Sequence, residues 1–334
     1  MGKRGVLAVV GATGLIGSEV VSVLGERGAG LYDDVRLFAS ENSQGEVYKV
    51  GEDEVEVELI DADSFAGVDV VVFALRPELV EQYVPMAIDA GASIIDTSGR
   101  FATRAGWEYA LPGAIGQTKR RGKYVSLPTS PASEIAILVN KIEPLGNIVR
   151  VLASTYHSVA TAGKYALDEL WNQTVSVCNQ KEIESEVFAH QIAFNCHPSI
   201  DVIDDSGNSR EENRICSEVK GVLNKPALPI AVTAVRVPVF HGVGVSLNIT
   251  FDHPVSVEDF IAVVSQINGF KVDGAEVTMP IDVAGSSNVS ISRVRKDPSN
   301  PNALNLWMIA DGLRRAAENV VDLLIERVTE SNEV

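Results

Sequence analysis

The stretch Val6-Leu7-Ala8-Val9-Val10, followed at once by Gly11-Ala12-Thr13-Gly14-Leu15-Ile16-Gly17, decides the fold of this 334-residue chain. Five apolar residues in a row are typical of a buried strand, and an amphipathic helix is predicted to follow the glycines. Glycines at this spacing allow a pyrophosphate to approach the free N–H groups at the start of a helix. The pattern therefore favours a nucleotide site over a simple strand-to-helix turn. The predicted cofactor-binding residues are Gly11, Thr13, Gly14, Leu15, Ile16 and Gly17.

The alternation of strand and helix continues through the first third of the chain. Strands that alternate with helices indicate a mostly parallel sheet, which binds ligands at the carboxyl ends of its strands. One of the predicted strands, Glu54–Ile60, alternates charged and apolar residues as a half-exposed antiparallel strand does. The others are predicted at Val35–Ala39, Val68–Leu75, Ser93–Asp96 and Tyr124–Leu127, with a helix that starts at Pro77.

A second pattern begins after Asn147. Runs rich in β-branched residues at 148–159, 230–240 and 243–251 alternate with helices and indicate an α+β domain with an antiparallel or mixed sheet. Because only His241 and Gly242 separate the last two runs, they are predicted to form one bent strand or an antiparallel pair. The last helix, with Asp311 as its cap, is predicted to pack back onto the first domain. The predicted domains are residues 1–130 with 312–334, and residues 131–311.

Composition excludes several classes of partner. The chain carries 28 Lys and Arg against 45 Asp and Glu, a formal net charge of −17, which argues against nucleic acid. No stretch reaches the roughly 18 apolar residues that a membrane span requires. Cys178, Cys196 and Cys216 share no metal-ligand spacing and are interpreted as reduced thiols. The sequence predicts a cytoplasmic protein without a metal.

The end of the second predicted strand bears on the choice of cofactor. Glu41 stands about where an acid reaches the 2′-hydroxyl of a ribose. Its neighbours Ser40 and Asn42 have no positive charge to hold a 2′-phosphate. Taken alone, this segment favours NAD over NADP.

Four further segments carry a resemblance to a known family. In chain order, and together with the glycine loop, they resemble aspartate-β-semialdehyde dehydrogenases over nearly the whole sequence. The resemblance implies a Rossmann-type domain that binds NADP or NAD, an inserted α+β domain of the glyceraldehyde-3-phosphate dehydrogenase type for catalysis and dimerisation, and a homodimer. The segments are Ser154-Thr155-Tyr156 with Gly163-Lys164, His190–Asn195, Val235–Phe240, and Arg293–Asn302 with Leu304–Trp307 and Asp311–Arg314.

Two positions that carry the chemistry of that family differ in this sequence. The family attacks its aldehyde with a cysteine, passes hydride to NADP and releases the acyl group on phosphate. The resemblance places Ser130 at the cysteine, and a serine hydroxyl needs an adjacent base because its pKa is far higher than that of a thiol. Ser130 before Pro131 is also typical of a helix N-cap, and we favour that interpretation. The family's acid–base histidine corresponds to Val243, which cannot transfer protons.

Two histidines are candidate substitutes. His241 shares a face with Val243 if the strand is regular, although an ordinary strand histidine is an equal alternative. His157 stands at the family's polarising glutamine and can donate a hydrogen bond or accept a proton. A nucleophile–base pair of Ser130 and His157 is therefore one hypothesis.

Other departures concern the cofactor and the phosphate. The resemblance places Asn42 at an arginine that binds the 2′-phosphate, and Gly312 at an asparagine near the nicotinamide. The phosphate-binding arginine is missing after Phe101, and Arg100 and Arg104 flank that position as candidate substitutes.

The carboxylate-binding group matches the family. Arg236 corresponds to the arginine that grips the substrate carboxylate through two hydrogen bonds. Glu211 and Arg214 lie on one helix face and correspond to the substrate-side acid and a basic phosphate contact, with a surface salt bridge as the alternative. Arg236 lies in an apolar strand, where an unpaired charge is costly, and this predicts a ligand or a buried partner.

The sequence thus predicts a divergent family member of the USG-1 type. It keeps the fold, the homodimer and a site for a small carboxylate or phosphate-bearing ligand, with little or no NADP-dependent, phosphorylating aldehyde dehydrogenase activity. One alternative is an active aspartate-semialdehyde dehydrogenase or acyl-transfer enzyme that uses Ser130 or His157. The other is a non-catalytic homodimer that senses a nucleotide or an amino acid.

Overall fold

The structure is a computed structural model that describes residues 5–113, 122–274 and 276–332. The chain divides into two compact units, one formed by residues 1–129 and 316–334 and the other by residues 130–315. Within the described ranges, no helix combines the length and the apolar character that a membrane crossing requires.

The first unit contains an eight-stranded sheet in the order β3-β4-β2-β1-β5-β6-β8-β7. Every neighbouring pair is parallel except β3 with β4, so the strand predicted at Glu54–Ile60 is antiparallel to one neighbour and parallel to the other. The carboxyl ends of β1, β2 and β5 therefore meet at one edge of the sheet. The elements are β1 (Val6–Val10), α1 (Leu15–Arg27), β2 (Asp34–Phe38), β3 (Val47–Val50), β4 (Asp53–Glu58), β5 (Val70–Phe73), α2 (Pro77–Asp89), β6 (Ser93–Asp96), β7 (Trp107–Tyr109) and β8 (Tyr124–Ser126).

The second unit contains a six-stranded mixed sheet in the order β10-β9-β11-β14-β13-β12. The two outer pairs are parallel and the inner pairs are antiparallel. The elements are α3 (Ser130–Lys141), β9 (Ile148–His157), α4 (Lys164–Cys178), α5 (Arg210–Leu223), β10 (Ile230–Arg236), β11 (Val243–Phe251), α6 (Val257–Val264), β12 (Phe270–Val272), β13 (Val289–Asp297) and β14 (Asn300–Ala310). The last helix is α7 (Gly312–Asn332), of which only the first four residues belong to the second unit.

The last helix, α7, behaves as the sequence predicts. Asp311 Oδ1 accepts hydrogen bonds from the N–H groups of Leu313 (3.0 Å) and Arg314 (3.2 Å), which caps the helix. From Ala316 onwards the helix belongs to the first unit, where its apolar face joins α1 in one buried cluster over the parallel sheet. The α7 residues in that cluster are Ala317, Val320, Val321, Leu323 and Leu324.

The relation between β10 and β11 differs from the prediction. The two runs form neither one bent strand nor an antiparallel pair, because β9 lies between them and pairs with both. Its register places His157 opposite Arg236 on one side and opposite Val243 on the other. Paired residues in a sheet project to the same face, so these three side chains form a row at one end of the sheet.

The last of the resembling segments, from Arg293 to Trp307, lies in the hairpin of β13 and β14. Asp297 Oδ1 accepts hydrogen bonds from Ser299 N (2.8 Å) and Ser299 Oγ (2.7 Å), which closes the turn between β13 and β14. On β14 the Trp307 ring covers Gly244, where a Cβ atom would lie 2.5 Å from the ring. Much of this signature therefore serves the fold.

Candidate functional site

The glycine loop forms a close junction between β1 and α1. Gly11 has φ +84°, and a Cβ atom there would lie 2.5 Å from the Ala74 carbonyl oxygen. A Cβ atom on Gly17 would overlap the Gly11 carbonyl oxygen, so α1 packs against the loop only because residue 17 has no side chain. Gly14 is exposed and precedes the first turn of α1, whose N–H groups have no partner within the helix. This arrangement suits an anion such as a pyrophosphate.

The predicted cofactor-selecting residues lie beside that loop. Ser40, Glu41 and Asn42 are exposed at the carboxyl end of β2, and Phe38 at the end of β2 accepts a hydrogen bond from Gly11 N (2.8 Å). Arg36, the nearest arginine along the chain, donates to Ser64 O (2.7 Å) and to Glu58 Oε2 (3.1 Å). Because its guanidinium is held by these two groups, Arg36 is a poor candidate for binding a 2′-phosphate.

The structure corrects the interpretation of Ser130 as a helix N-cap. Helix α3 begins at Ser130 itself, and the Ser130 hydroxyl donates to Glu134 Oε2, 3.0 Å away and one helical turn later. An N-cap side chain instead accepts a hydrogen bond from a backbone N–H group. Ser130 is buried, with 9% of its surface exposed.

Ser130, Val243 and Gly312 lie together in the second unit. A Cβ atom on Gly312 would be 3.3 Å from Ser130 Oγ and 3.0 Å from Val243 Cγ2. The sequence places these residues at three functional positions of the resembled family, and the fold brings them together although they are more than 60 residues apart in the chain. A side chain at residue 312 would therefore crowd both Ser130 and Val243, so these three residues pack closely only because residue 312 is a glycine.

Glu134 is a site residue that the sequence analysis missed. It is buried, and burial raises its pKa to about 7 against the opposing effects of the Arg315 charge and the Ser130 hydrogen bond. Glu134 Oε1 lies 3.7 Å from Arg315 Nε, and neither of these buried atoms has a hydrogen-bond partner among the residues that the structure describes. The signal was present in the sequence: a glutamate one helical turn after Ser130, in a helix otherwise dominated by apolar residues.

His157 is a poor proton acceptor. Burial, together with the Arg236 charge, lowers its pKa to about 3, so the ring is neutral near pH 7. Its Nε2 atom lies 2.9 Å from Thr155 Oγ1. Because the Ser130 hydroxyl bonds to Glu134 and His157 to Thr155, the structure does not contain the hypothesised Ser130–His157 pair.

The alternation argument for His241 is wrong. Strand β11 begins only at Val243, and His241 lies in the connection that precedes it. Between them, Gly242 has φ +92°, which breaks the two-residue repeat that would place His241 and Val243 on one face.

Arg236 is buried and held at one end. Its Nη1 donates to Ser158 O and to Thr161 Oγ1, both at 2.8 Å, and the guanidinium lies 5.5 Å from the Phe188 ring centroid. Burial lowers its pKa to about 10, with Glu211 opposing the shift, so Arg236 stays charged at neutral pH. No described residue forms an ion pair with it, and its other nitrogen atoms are available to a ligand.

Glu211 and Arg214 do not form the surface salt bridge considered above. Arg214 instead forms an ion pair with buried Glu218, at 2.8 Å between Nε and Oε1. Burial raises the pKa of Glu211, and the charges of Arg214 and Arg236 oppose that shift. Glu211 thus lies in the electric field of Arg236 and adds an acid to the same neighbourhood.

Arg100 and Arg104, the candidate phosphate-binding residues, share one acid. Glu81 Oε1 lies 2.8 Å from Arg100 and 2.5 Å from Arg104, and Arg104 also stacks over Phe101 at 4.2 Å. Both arginines are about half exposed. Two cations on one carboxylate leave a net positive charge, which keeps this pair available to an anion.

Comparison with known proteins identifies both halves of the chain. The domain described as "Semialdehyde dehydrogenase, NAD binding domain" matches residues 6–118, and "Semialdehyde dehydrogenase, dimerisation domain" matches residues 140–315. The chain is similar to aspartate-semialdehyde dehydrogenase 2 of Vibrio cholerae, with 32% identity over 95% of this chain and 96% of that protein. It is 33% identical to the aspartate-semialdehyde dehydrogenase of Rickettsia bellii over 98% of this chain and 99% of that one.

Solved structures of other proteins indicate the same family. The crystal structure of aspartate semialdehyde dehydrogenase II from Vibrio cholerae, complexed with ASA, superposes with a TM-score of 0.92 at 29% identity and covers 100% of both chains. The Candida albicans enzyme with NADP shares the fold, with a TM-score of 0.71 at 16% identity over 99% of both chains. With a mostly parallel sheet in the unit that matches the NAD-binding domain, a mixed second sheet and relatives matched over nearly their full lengths, this chain belongs to the aspartate-semialdehyde dehydrogenase family.

Proposed function

We propose that the protein binds NAD or NADP and a small carboxylate ligand, but has little phosphorylating aldehyde dehydrogenase activity. The observation that carries this proposal is the meeting of Ser130 and Val243 at Gly312. The family resemblance assigns the nucleophile and the acid–base group to these two positions. A hydroxyl and an isopropyl group supply neither a thiolate nor a titrating imidazole.

The physical argument concerns the ionisation of the nucleophile. A thiol at a helix N-terminus ionises near neutral pH, whereas a hydroxyl needs a base that removes its proton during attack. Val243 is buried and apolar and cannot supply the proton transfers of the family's acid–base group. Hydride transfer from an aldehyde would therefore be slow even with substrate and cofactor bound.

The binding functions are supported by different residues. The glycine loop keeps the backbone geometry of a pyrophosphate site, and Arg236 offers a charged guanidinium in an apolar setting. A bidentate arginine contact is well suited to a carboxylate, and Glu211 nearby is suited to an ammonium group. An amino acid with an acidic side chain is the ligand class that these groups favour.

The test combines binding with turnover. Isothermal titration calorimetry with NAD, NADP and aspartate should detect binding, while aspartate semialdehyde, phosphate and either cofactor should give almost no reduced nicotinamide by absorbance. Rapid turnover would contradict the proposal, and so would failure to bind either nucleotide.

We also propose that the protein is a homodimer. The second unit matches a dimerisation domain, and α4 exposes large apolar side chains at Tyr165, Trp171 and Val175. Stable dimers commonly bury roughly 1,200–2,000 Å² or more, enough to cover such a surface. Light scattering at micromolar concentration should give twice the chain mass, and Trp171→Glu should shift the protein toward monomer. A wild-type monomer would refute this.

A further inference from the structure

Helix α4 buries two polar side chains that the site described above does not use. Glu169 and Gln173 are four residues apart and lie on one face of α4, with 7% and 1% of their surfaces exposed. Gln173 Nε2 donates a hydrogen bond to Glu169 Oε1 at 3.0 Å. We call these two residues the α4 pair. Because a buried carboxylate is costly unless it accepts hydrogen bonds, the other partners of this pair indicate its role.

The α4 pair binds the backbone of the segment 184–193. Both oxygen atoms of Glu169 accept hydrogen bonds from N–H groups of this segment, and Gln173 bonds to groups at each end of it. The segment contains neither helix nor strand, so these side chains supply the partners that a regular element would provide. The donors to Glu169 are Glu186 N (3.0 Å), Val187 N (2.5 Å) and Phe188 N (3.4 Å), and Gln173 bonds to Glu184 O (3.0 Å), Ile192 N (2.8 Å) and Ala193 N (3.2 Å).

The segment carries the aromatic ring that lies over Arg236. The Phe188 ring centroid is 5.5 Å from the Arg236 guanidinium, within the range of a cation–π contact. The same ring packs edge-on against His197 at 5.7 Å. The backbone of His197 pairs with that of Arg236 through two hydrogen bonds of 2.9 Å. The cover over the guanidinium therefore depends on where the segment is held.

We propose that Glu169 and Gln173 are positioning residues for Arg236. By holding the segment 184–193, the α4 pair keeps the Phe188 ring over the guanidinium. The ring limits the access of solvent to Arg236 and fixes the direction from which a ligand meets it. This inference rests on the proposed function, because the positioned group is the arginine proposed to bind a carboxylate.

The charge of Glu169 is essential to this role. A carboxylate offers two acceptor atoms, and hydrogen bonds to an ionised acceptor are roughly twice as strong as those between neutral groups. A glutamine at residue 169 would offer one oxygen atom and would turn an NH₂ group toward N–H donors. Glu169→Gln should therefore loosen the segment although the size of the side chain is unchanged.

The reactivity of Arg236 measures the position of the Phe188 ring without any ligand. Phenylglyoxal modifies guanidinium groups, and mass spectrometry after digestion of the full-length protein gives the extent of modification at each arginine. Exposed Arg210 is the internal reference. Modification of Arg236 relative to Arg210 should rise at least about tenfold in Glu169→Gln, because loss of one hydrogen bond to a charged group shifts the opening of the segment by that factor.

The affinity for aspartate measures the consequence for binding. In calorimetry below the unfolding transition of every variant, Glu169→Gln should bind aspartate at least about tenfold more weakly than the wild type. Its affinity for NAD should be unchanged, because the glycine loop belongs to the other unit. A residue that only stabilised the fold would change the melting temperature and leave the affinity of the folded protein for aspartate unchanged.

A swap of the two side chains tests whether they act together. Gln173→Glu places two carboxylates against each other and should also raise the modification of Arg236. The double variant with Glu169→Gln and Gln173→Glu again has one carboxylate beside one amide, and it should recover part of the protection that each single substitution loses. Asp168→Asn is the matched control, because Asp168 is an exposed acid on α4 next to Glu169, and it should behave as the wild type.

Each outcome decides the proposal. Unchanged modification of Arg236 in Glu169→Gln overturns it, and so does a double variant whose effect equals the product of the two single effects. If Glu169→Gln does not fold, Gln173→Ala decides, and modification of Arg236 at the wild-type rate in that variant overturns the proposal. If the wild type does not bind aspartate, the proposed function fails, whereas the modification of Arg236 still decides the positioning role. The two failures are therefore distinguishable.

Discussion

Two parts of the second unit differ in which features of the family they keep. We call them the Arg236 end, formed by Arg236 with Ser158 and Thr161, and the Ser130 end, formed by Ser130, Val243 and Gly312. Around Arg236, a carbonyl and a hydroxyl fix one edge of a buried guanidinium and leave the rest for a ligand. Around Ser130, the resemblance assigns the nucleophile to residue 130 and the acid–base group to residue 243, and neither Ser130 nor Val243 has the expected side chain. The comparison indicates that binding and chemistry are separable in this fold, because different elements supply them.

Packing explains why the two ends can diverge. Arg236 is surrounded by groups that accommodate its charge, so its removal would leave acceptors without a donor. Ser130 differs from a cysteine by one atom, and Val243 is an ordinary core side chain with 3% of its surface exposed. Replacements at the reactive end therefore cost the fold little.

The largest expected effect comes from restoring the chemical pair. Ser130→Cys with Val243→His should raise dehydrogenase turnover by at least about 10³-fold, because loss of a nucleophile costs on the order of 10⁶ in a well-studied hydrolase. Steady-state absorbance of reduced nicotinamide, with aspartate semialdehyde and phosphate, measures it. Ser130→Cys alone should recover less, since the acid–base group is still missing. Wild-type turnover within tenfold of about 10 s⁻¹, a median value for enzymes, would erase the contrast between the two ends.

The next effect concerns His157, which lies between the two ends. Its folded pKa of about 3 is below the ordinary value of 6.5, so the unfolded chain binds the extra proton first as pH falls. This stabilisation is present above pH 6.5 and is lost as pH falls toward 3. It amounts to several kcal/mol, at about 1.36 kcal/mol per pKa unit.

His157→Gln should remove that dependence. Urea unfolding at pH 4.5 and pH 7.5 should show a larger loss of unfolding free energy at low pH in the wild type than in the variant. Glu134 acts in the opposite direction between pH 4.5 and 7, because its folded pKa is raised, but both proteins contain it and the comparison cancels its contribution. Equal pH dependence in the two proteins would show that His157 is not buried as a neutral ring.

A smaller effect is expected at Arg236. Aspartate or sulfate should raise the melting temperature of the wild type, and Arg236→Ala should weaken that binding at least tenfold, because hydrogen bonds to charged groups contribute about 1.5–3 kcal/mol each. Arg210→Ala is the control, since Arg210 is exposed and pairs with Asp201 at 3.2 Å. If Arg236→Ala unfolds the protein, Arg236 stabilises the fold, and the ligand-binding role proposed for the Arg236 end is contradicted.

The smallest effect is the choice of cofactor. With Asn42 exposed beside the glycine loop and Arg36 held by Glu58 and Ser64, NADP should bind no tighter than NAD. Asn42→Arg should then improve NADP binding about tenfold, a value typical of one charged contact. A tenfold preference for NADP in wild-type calorimetry would mean that another cation reaches the 2′-phosphate.

The predictions that the structure confirms are local ones. The β1 strand, the glycine turn and the start of α2 at Pro77 follow from short-range patterns. The insertion of β9 between β10 and β11 did not follow, because strand order depends on pairing between distant segments. That order places His157 between Arg236 and Val243, so the composition of the site was partly hidden as well.

Side-chain partners were the hardest to predict. Ser130 before a proline fits a cap pattern, yet the hydroxyl turns along the helix toward Glu134. His241 fits a strand repeat, yet the backbone at Gly242 has positive φ. In both cases the sequence pattern was present, but packing against distant residues determines the local conformation. A single sequence does not show that packing.

The junction between Gly11 and Gly17 has a consequence for how such sequences change over time. A Cβ atom at either position would collide with backbone, whereas a Cβ atom on Gly14 would lie 3.3 Å from the Gly11 carbonyl oxygen, and residue 13 is already a threonine. Selection for folding alone would therefore hold residues 11 and 17 fixed in a lineage that had abandoned its nucleotide. Substitutions would accumulate first at residues 13 and 14. Among related sequences, variation at these two positions would therefore mark when nucleotide binding was lost.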